Sequence, residues 1–414
     1  MTVRQARAAL LFTLLSFAVL HGIVFWRFHD FIFRGYGDFA SFYTAAKIVQ
    51  HGQNSRLYDR GLQWNLQQEF APSVDIRTAP LPYIRPPFEA LLFLPFAYLQ
   101  YRNAFIVWTA LKLAILFAVP FVLAGHTQTE LLPSPVLQGL LCLGFFPVAF
   151  DLIQGQDSIL LLALVSLFFT SLSRGLEFRS GLYLGLGLFK FHLILPLFAV
   201  VALRRKGKAV AGFVAAALIL FSLSVVLVGW PALARYPQYL WGLKQAPWLA
   251  GMRAETMPNI RGLLTPILGR GPLPLITQAI LAALSVAGIL LAARYWQIDD
   301  ADISPAEFAF TLVTVLVTSF YLNSYDLCLL IVPLLCSPRI LARHPEVRGW
   351  SRNGMMVCSA LLLFSPLHWI LALHLDQYYW TALIQLGLAV ALAGLISVLV
   401  RKKARMLAGQ IVQK

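Results

Sequence analysis

The chain has 414 residues, of which 59% are hydrophobic and only 12% charged, where soluble domains carry about 25% charge. That surface cannot support a soluble protein of this length, and 13% aromatics with a mean hydropathy of +0.73 exclude disorder. The net charge of +15 has no hydrophilic face on which to bind nucleic acid. It falls in short clusters beside apolar runs, as in a polytopic membrane protein.

Twelve apolar segments are predicted as spans: 8–28, 86–101, 104–124, 134–152, 157–173, 181–200, 208–229, 273–294, 306–322, 325–340, 353–373 and 379–400. Arg4 and Arg7 precede the first, and no small-x-small cleavage site follows it. Arg204, Arg205, Lys206 and Lys208 follow the sixth, Arg339, Arg343, Arg348 and Arg352 the tenth, and Arg401, Lys402, Lys403 and Arg405 the twelfth. With the N-terminus inside, an even count puts all four clusters inside. Asp299, Asp300 and Asp302 form an acidic inner loop, which weighs little on orientation. The two long loops, 29–85 and 230–272, then lie outside, the second anchored by Trp230, Trp241 and Trp248. A single membrane unit over 1–414 is expected. Cys142, Cys328, Cys336 and Cys358 lie in apolar runs without disulfide or metal spacing.

In the first loop, Phe39, Phe42, Tyr43, Ala46 and Val49 recur at three- and four-residue spacing after Gly37-Asp38, with Lys47 on the polar side. This predicts an amphipathic helix along the outer membrane surface, stopped near Gly52. Asp38 is either its N-cap or a carboxylate placed to take a proton at the lipid–water boundary. Leu57-Tyr58-Asp59 follows, and Tyr83-Ile84-Arg85-Pro86-Pro87-Phe88 enters the second span. Arg85 is either an interface anchor or a contact to a lipid phosphate.

Asp151-Leu152-Ile153-Gln154-Gly155-Gln156-Asp157-Ser158 separates spans four and five, and parity places it on the inner side or at a break within the membrane. Lys190, followed by Phe191 and His192, sits midway through span six. A cation there costs ~2.5–3.5 kcal/mol on insertion scales. It needs either an acidic partner, for which the Gly155-Gln156-Asp157 break is available, or a phosphate. Met257-Pro258-Asn259-Ile260-Arg261-Gly262-Leu263 and Ser319-Phe320-Tyr321-Leu322-Asn323-Ser324-Tyr325-Asp326 complete a polar roof on the Asp38 side. No Walker, Rossmann or D-x-D pattern and no metal-ligand cluster occurs.

These stretches together resemble glycosyltransferase family 87, within the GT-C superfamily of bacterial membrane enzymes. The resemblance runs over about residues 35–340. It is carried by Gly37-Asp38, Tyr43, Gly52 and Leu57-Tyr58-Asp59, by Arg85-Pro86-Pro87-Phe88 with Pro95, and by Gly155-Gln156-Asp157-Ser158. Gly181-Leu182, Lys190 and Asn259-Ile260-Arg261-Gly262-Leu263 continue it in order. One departure is the stretch 319–325, where the family often carries a Ser-Pro and His pattern and this chain has no His. The resemblance implies a bundle of about twelve helices in the bacterial cytoplasmic membrane, with its site facing outward. It implies transfer of a sugar, typically mannose, from a polyprenyl-phosphate donor to a lipid or glycan acceptor, inverting, without metal or other cofactor, and with Asp38 as general base. Arg85 and Lys190 are the donor-phosphate candidates. Tyr43, Lys47, Tyr58, Asp59, Gln156, His192, Asn259, Arg261, Asn323 and Tyr325 are the substrate-binding candidates. A multi-span lipid or glycolipid transporter is the competing expectation, since broken helices and a central lysine suit it too.

Overall fold

The computed structural model describes residues 2–74, 78–245, 253–268, 274–296, 304–345, 347 and 349–412. Trp248, Asp299, Asp300, Asp302 and Arg348, named above from the sequence, lie outside these. The chain is an all-α polytopic membrane protein. Seven helical segments are long and apolar enough to cross a bilayer: Val3–Arg27, Tyr101–Thr127, Glu177–Leu203, Gly207–Val228, Leu275–Tyr295, Ser324–Arg343 and Tyr378–Lys403. Two bent pairs raise this to nine among the described residues: Pro135–Leu143 with Phe146–Gln154 at 68°, and Trp350–Leu363 with Ser365–His374 at 60°. Glu89–Tyr98, Ser158–Ser173 and Pro305–Thr318 are shorter apolar helices.

The twelve apolar segments read from the sequence all become helix, but two of them do not run as expected. Glu89–Tyr98 is about 15 Å long, half of a roughly 30 Å hydrocarbon core. One face packs on protein, with Ala90, Phe93, Phe96 and Ala97 buried and Phe93 stacked on Phe42 at 4.6 Å, while Leu92 and Tyr98 on the other face are exposed.

Glu177–Leu203 has the length of a span, yet it folds back on itself. The backbone leaves helical geometry at Lys190 (φ −112°, ψ 56°). Lys206 Nζ then lies 3.0 Å from Glu177 Oε1. A straight helix of this length would hold those ends about 40 Å apart. Two helices, Glu177–Leu186 and Phe191–Leu203, therefore make a re-entrant hairpin with Lys190 at its tip. Glycines let it pack tightly against Gly207–Val228. A Cβ on Gly181 would sit 1.9 Å from the Ala209 carbonyl oxygen, and one on Gly212 would sit 2.0 Å from that of Phe178.

The short helix and the hairpin each remove one crossing, so the parity of everything after residue 203 is unchanged. Basic residues duly gather at one end. A cavity of about 990 Å³ there is lined by His126, Ser173, Arg339, Arg343, Lys402 and Lys403. Arg7 donates to the carbonyl of Glu130 just past Thr127. Between the two departures, however, parity is inverted. The Asp151–Ser158 break lies against Asp38 at the opposite end, not on the side of the basic clusters as the count of spans implied.

The hairpin makes a topological prediction. In a cysteine-free variant, single cysteines at Leu176 and Lys206 should react with an impermeant thiol reagent from the same side of the membrane. Reaction from opposite sides would restore a crossing helix.

Candidate active site

The site is built around two segments that approach unusually closely. Helix Phe39–Gln50 has nine of its twelve residues buried, so it is packed within the protein and does not lie along the membrane surface as expected. Aromatic contacts explain this: Phe39 meets Phe105 edge-on at 5.4 Å and Tyr101 at 5.7 Å. On its other side is Gly155, in the left-handed region at φ +68°, where a Cβ would fall 2.6 Å from that of Phe39. Only glycine fits both the backbone and the space. Trp108 Nε1 fixes the turn by donating to the Gly155 carbonyl at 2.9 Å.

Asp38 stands at the helix start, but its side chain makes no capping bond. The carboxylate instead accepts from Gln156 Nε2 at 2.7 Å, and the Asp38 backbone N–H donates to Gln154 Oε1 at 3.3 Å. The break between spans four and five is therefore the element that orients Asp38.

Beneath it runs a buried network. Asp157 Oδ1 lies 3.2 Å from Arg85 Nη2 and 2.8 Å from Lys190 Nζ. Lys190 also reaches Asp326 Oδ1 and Ser158 Oγ, each at 2.5 Å, and lies 4.8 Å from the centre of the Tyr325 ring. Arg85 Nη2 donates to Gln156 Oε1 at 3.1 Å, and its Nε lies 3.9 Å from Glu89 Oε1. Asn323 N–H donates to Asp326 Oδ2 at 2.9 Å. Of the two partners open to Lys190 in the sequence, the acidic one is present. Alongside, Lys112 Nζ pairs with Asp151 Oδ1 at 2.8 Å, and Asp151 Oδ2 accepts from Ser158 N–H at 2.9 Å.

Above the network is a cavity of about 350 Å³, within the roughly 300–1,000 Å³ of small-molecule clefts. Asp38, Arg85, Gln156, His192, Asn323 and Tyr325 from the sequence candidates line it. Lys190 does not, but holds Asp326, which does. The other candidates sit elsewhere. Tyr43 donates to the Leu99 carbonyl at 2.8 Å, and Lys47 to Gln50 Oε1 at 2.9 Å. Tyr58 donates to the carbonyl of Arg85 at 2.8 Å. Asp59 caps Arg60–Phe70 through Leu62 N–H, and its bond from Arg56 holds the carboxyl below its ordinary range. Asn259 joins Ser319 and Gly262, while Arg261 bonds the Phe320 carbonyl and lies over that ring. These residues shape the roof without lining the cavity.

Residues outside the substrate-binding and phosphate candidates also belong here, Asp157 among them as the partner the sequence offered Lys190. Asp157, Asp326 and Glu89 supply the counter-charges, Tyr321 stands edge-on to His192 at 5.3 Å, and Arg253 and Asp376 close one side of the cavity. A signal existed for the acids. Each cation inside an apolar stretch needs a partner, and Lys112 in span 104–124 called for Asp151 as plainly as Lys190 called for Asp157.

A charged, hydrogen-bonded floor under a cavity at the end of an apolar bundle is what a membrane-embedded transferase needs. Residues 83–338 match the model of glycosyltransferase family 87, and the chain belongs to that family. It is a membrane glycosyltransferase, consistent with the GT-C superfamily. The match includes Arg85, the 155–158 break, Lys190 and Asn323–Asp326 but begins after Asp38. No curated protein matches the chain.

The Lys112–Asp151 pair is predicted to behave as a buried ion pair. Lys112→Met strands a carboxylate and should cost about 3–5 kcal/mol, whereas Lys112→Met with Asp151→Leu should cost clearly less. Denaturation in detergent measures both, and equal losses would show that Asp151 matters mainly through Ser158.

Proposed function

We propose that this glycosyltransferase moves a sugar, mannose or another hexose or pentose, from a polyprenyl-phosphate donor to a lipid or glycan acceptor. The reaction is inverting and metal-independent, and Asp38 is its general base. One observation carries the reading: the Asp38 carboxylate is half-buried on the cavity wall, takes no part in capping its helix, and is aimed by Gln156 at 2.7 Å. A carboxylate held in this way is a proton acceptor kept out of secondary structure for another use.

In the reaction, an acceptor hydroxyl gives its proton to Asp38 as its oxygen bonds to the anomeric carbon. The bond from that carbon to the phosphate oxygen breaks, and polyprenyl phosphate leaves as an anion. The leaving group is already stable, so no strong general acid is required. Asp157 and Asp326 are both engaged by Lys190 and structure the floor. His192, Asn323 and Tyr325 line the space for the sugar. Alignment of two membrane-bound reactants supplies part of the rate.

The site lies at the end away from the Arg339, Arg343, Lys402 and Lys403 cluster. Basic clusters mark the cytoplasmic side, so the reading places the cavity on the outer face of a bacterial cytoplasmic membrane.

Asp38→Asn preserves shape and the bond from Gln156 while removing the base. It should fold normally and lose about 100-fold or more in transfer from radiolabelled polyprenyl-phosphate mannose to a membrane lipid extract. Turnover near that of the unaltered protein would remove Asp38 from the mechanism.

A further inference from the structure

The cations at the Asp38 end are of two kinds. Arg85 and Lys190 have side chains only 8% and 0% exposed and are held by Asp157, Glu89 and Asp326. Drawing either one toward a ligand would leave a buried carboxylate without its counter-charge. Both cations are thus already committed to carboxylates beneath Asp38 and offer an incoming phosphate little uncompensated charge.

Arg253 differs. It lines the same cavity as Asp38, and its side chain is 55% exposed. Its partner, Asp376, is 52% exposed and comes from the turn between Ile370–His374 and Tyr378–Trp380. An ion pair so open to water is weak. A guanidinium can exchange one two-oxygen anion for another without changing its geometry, and a phosphate offers more charge than a carboxylate. Arg261, the other arginine of this roof, is occupied by the Phe320 carbonyl and ring and does not line the cavity.

We propose that Arg253 binds the phosphate of the lipid-linked donor, and that Asp376 holds its guanidinium in place until the phosphate displaces it. The phosphate then sits toward the side closed by Arg253 and Asp376, the sugar spans the cavity, and Asp38 faces it from the wall. This rests on the reading of the site as a transferase with a lipid-phosphate donor.

The test is equilibrium binding of polyprenyl phosphate to the purified full-length protein in nanodiscs, with uncharged polyprenol and inorganic phosphate as references. Arg253→Gln should weaken polyprenyl phosphate about 10-fold or more and leave polyprenol unchanged. Arg253→Lys should recover part of the loss. Asp376→Asn should have the opposite sign and tighten binding by about 2- to 5-fold, because it frees the guanidinium. The double variant should behave like Arg253→Gln. If Arg253→Gln and Asp376→Asn weaken binding alike, the pair is a structural clasp and the proposal fails. It fails equally if neither variant changes binding, or if inorganic phosphate binds as tightly as the lipid. If the unaltered protein binds polyprenyl phosphate no better than polyprenol, the donor reading itself falls and takes this inference with it.

Discussion

One carboxylate oxygen, Asp157 Oδ1, is shared by Arg85 and Lys190, and the candidate-site end is assembled around it. Arg85 brings the end of the first loop, Asp157 the break between two helices, and Lys190 the tip of the hairpin. Through Lys190 the 323–326 segment joins them. Charges taken out of water at this depth are tolerable only when each has a partner at contact distance. The four segments are therefore fixed relative to one another by electrostatic necessity more than by apolar packing, which has little preference between protein and lipid. Gln156 translates that fixed floor into the position of Asp38, since its amide bonds the carboxylate on one side and Arg85 on the other.

This arrangement divides labour by exposure. Buried cations neutralise buried acids and set geometry. Arg85, Gln156 and Asp326 belong to both the floor and the cavity wall, while Asp38, His192, Asn323, Tyr325 and Arg253 line the cavity outside the Lys190 and Arg85 pairs.

Much of the fold was legible because hydropathy and charge record the two facts that matter most in a membrane, length and sidedness. The failures share a physical cause. Phe93 and its neighbours are as apolar as a lipid-facing segment, and composition cannot tell burial against Phe42 from burial in a bilayer. Direction is equally invisible: residues 181–200 read as one span, and the only sign of a reversal was the misplaced charge of Lys190. In the site, Asp38, Arg85, Gln156 and Lys190 stood out because polar groups in or beside apolar runs demand explanation. Arg253 and Asp376, 123 residues apart in polar loops, carried no such mark. Tyr43, Tyr58, Asp59, Asn259 and Arg261 drew attention for the same reason as the residues that line the cavity. Their polar atoms bond carbonyls, a cap and neighbouring side chains outside it, which only coordinates reveal.

The hairpin has a consequence for how the protein is made. A segment of 27 residues with the hydropathy of a span enters the membrane during synthesis with a strong tendency to cross it. Its reversal depends on Lys190 finding acids, and these emerge at very different times. Asp157 precedes it, but Asp326 follows by 136 residues, after two further long helices have been inserted. The complete set of acids that holds the hairpin tip is therefore available only once residue 326 has been synthesised.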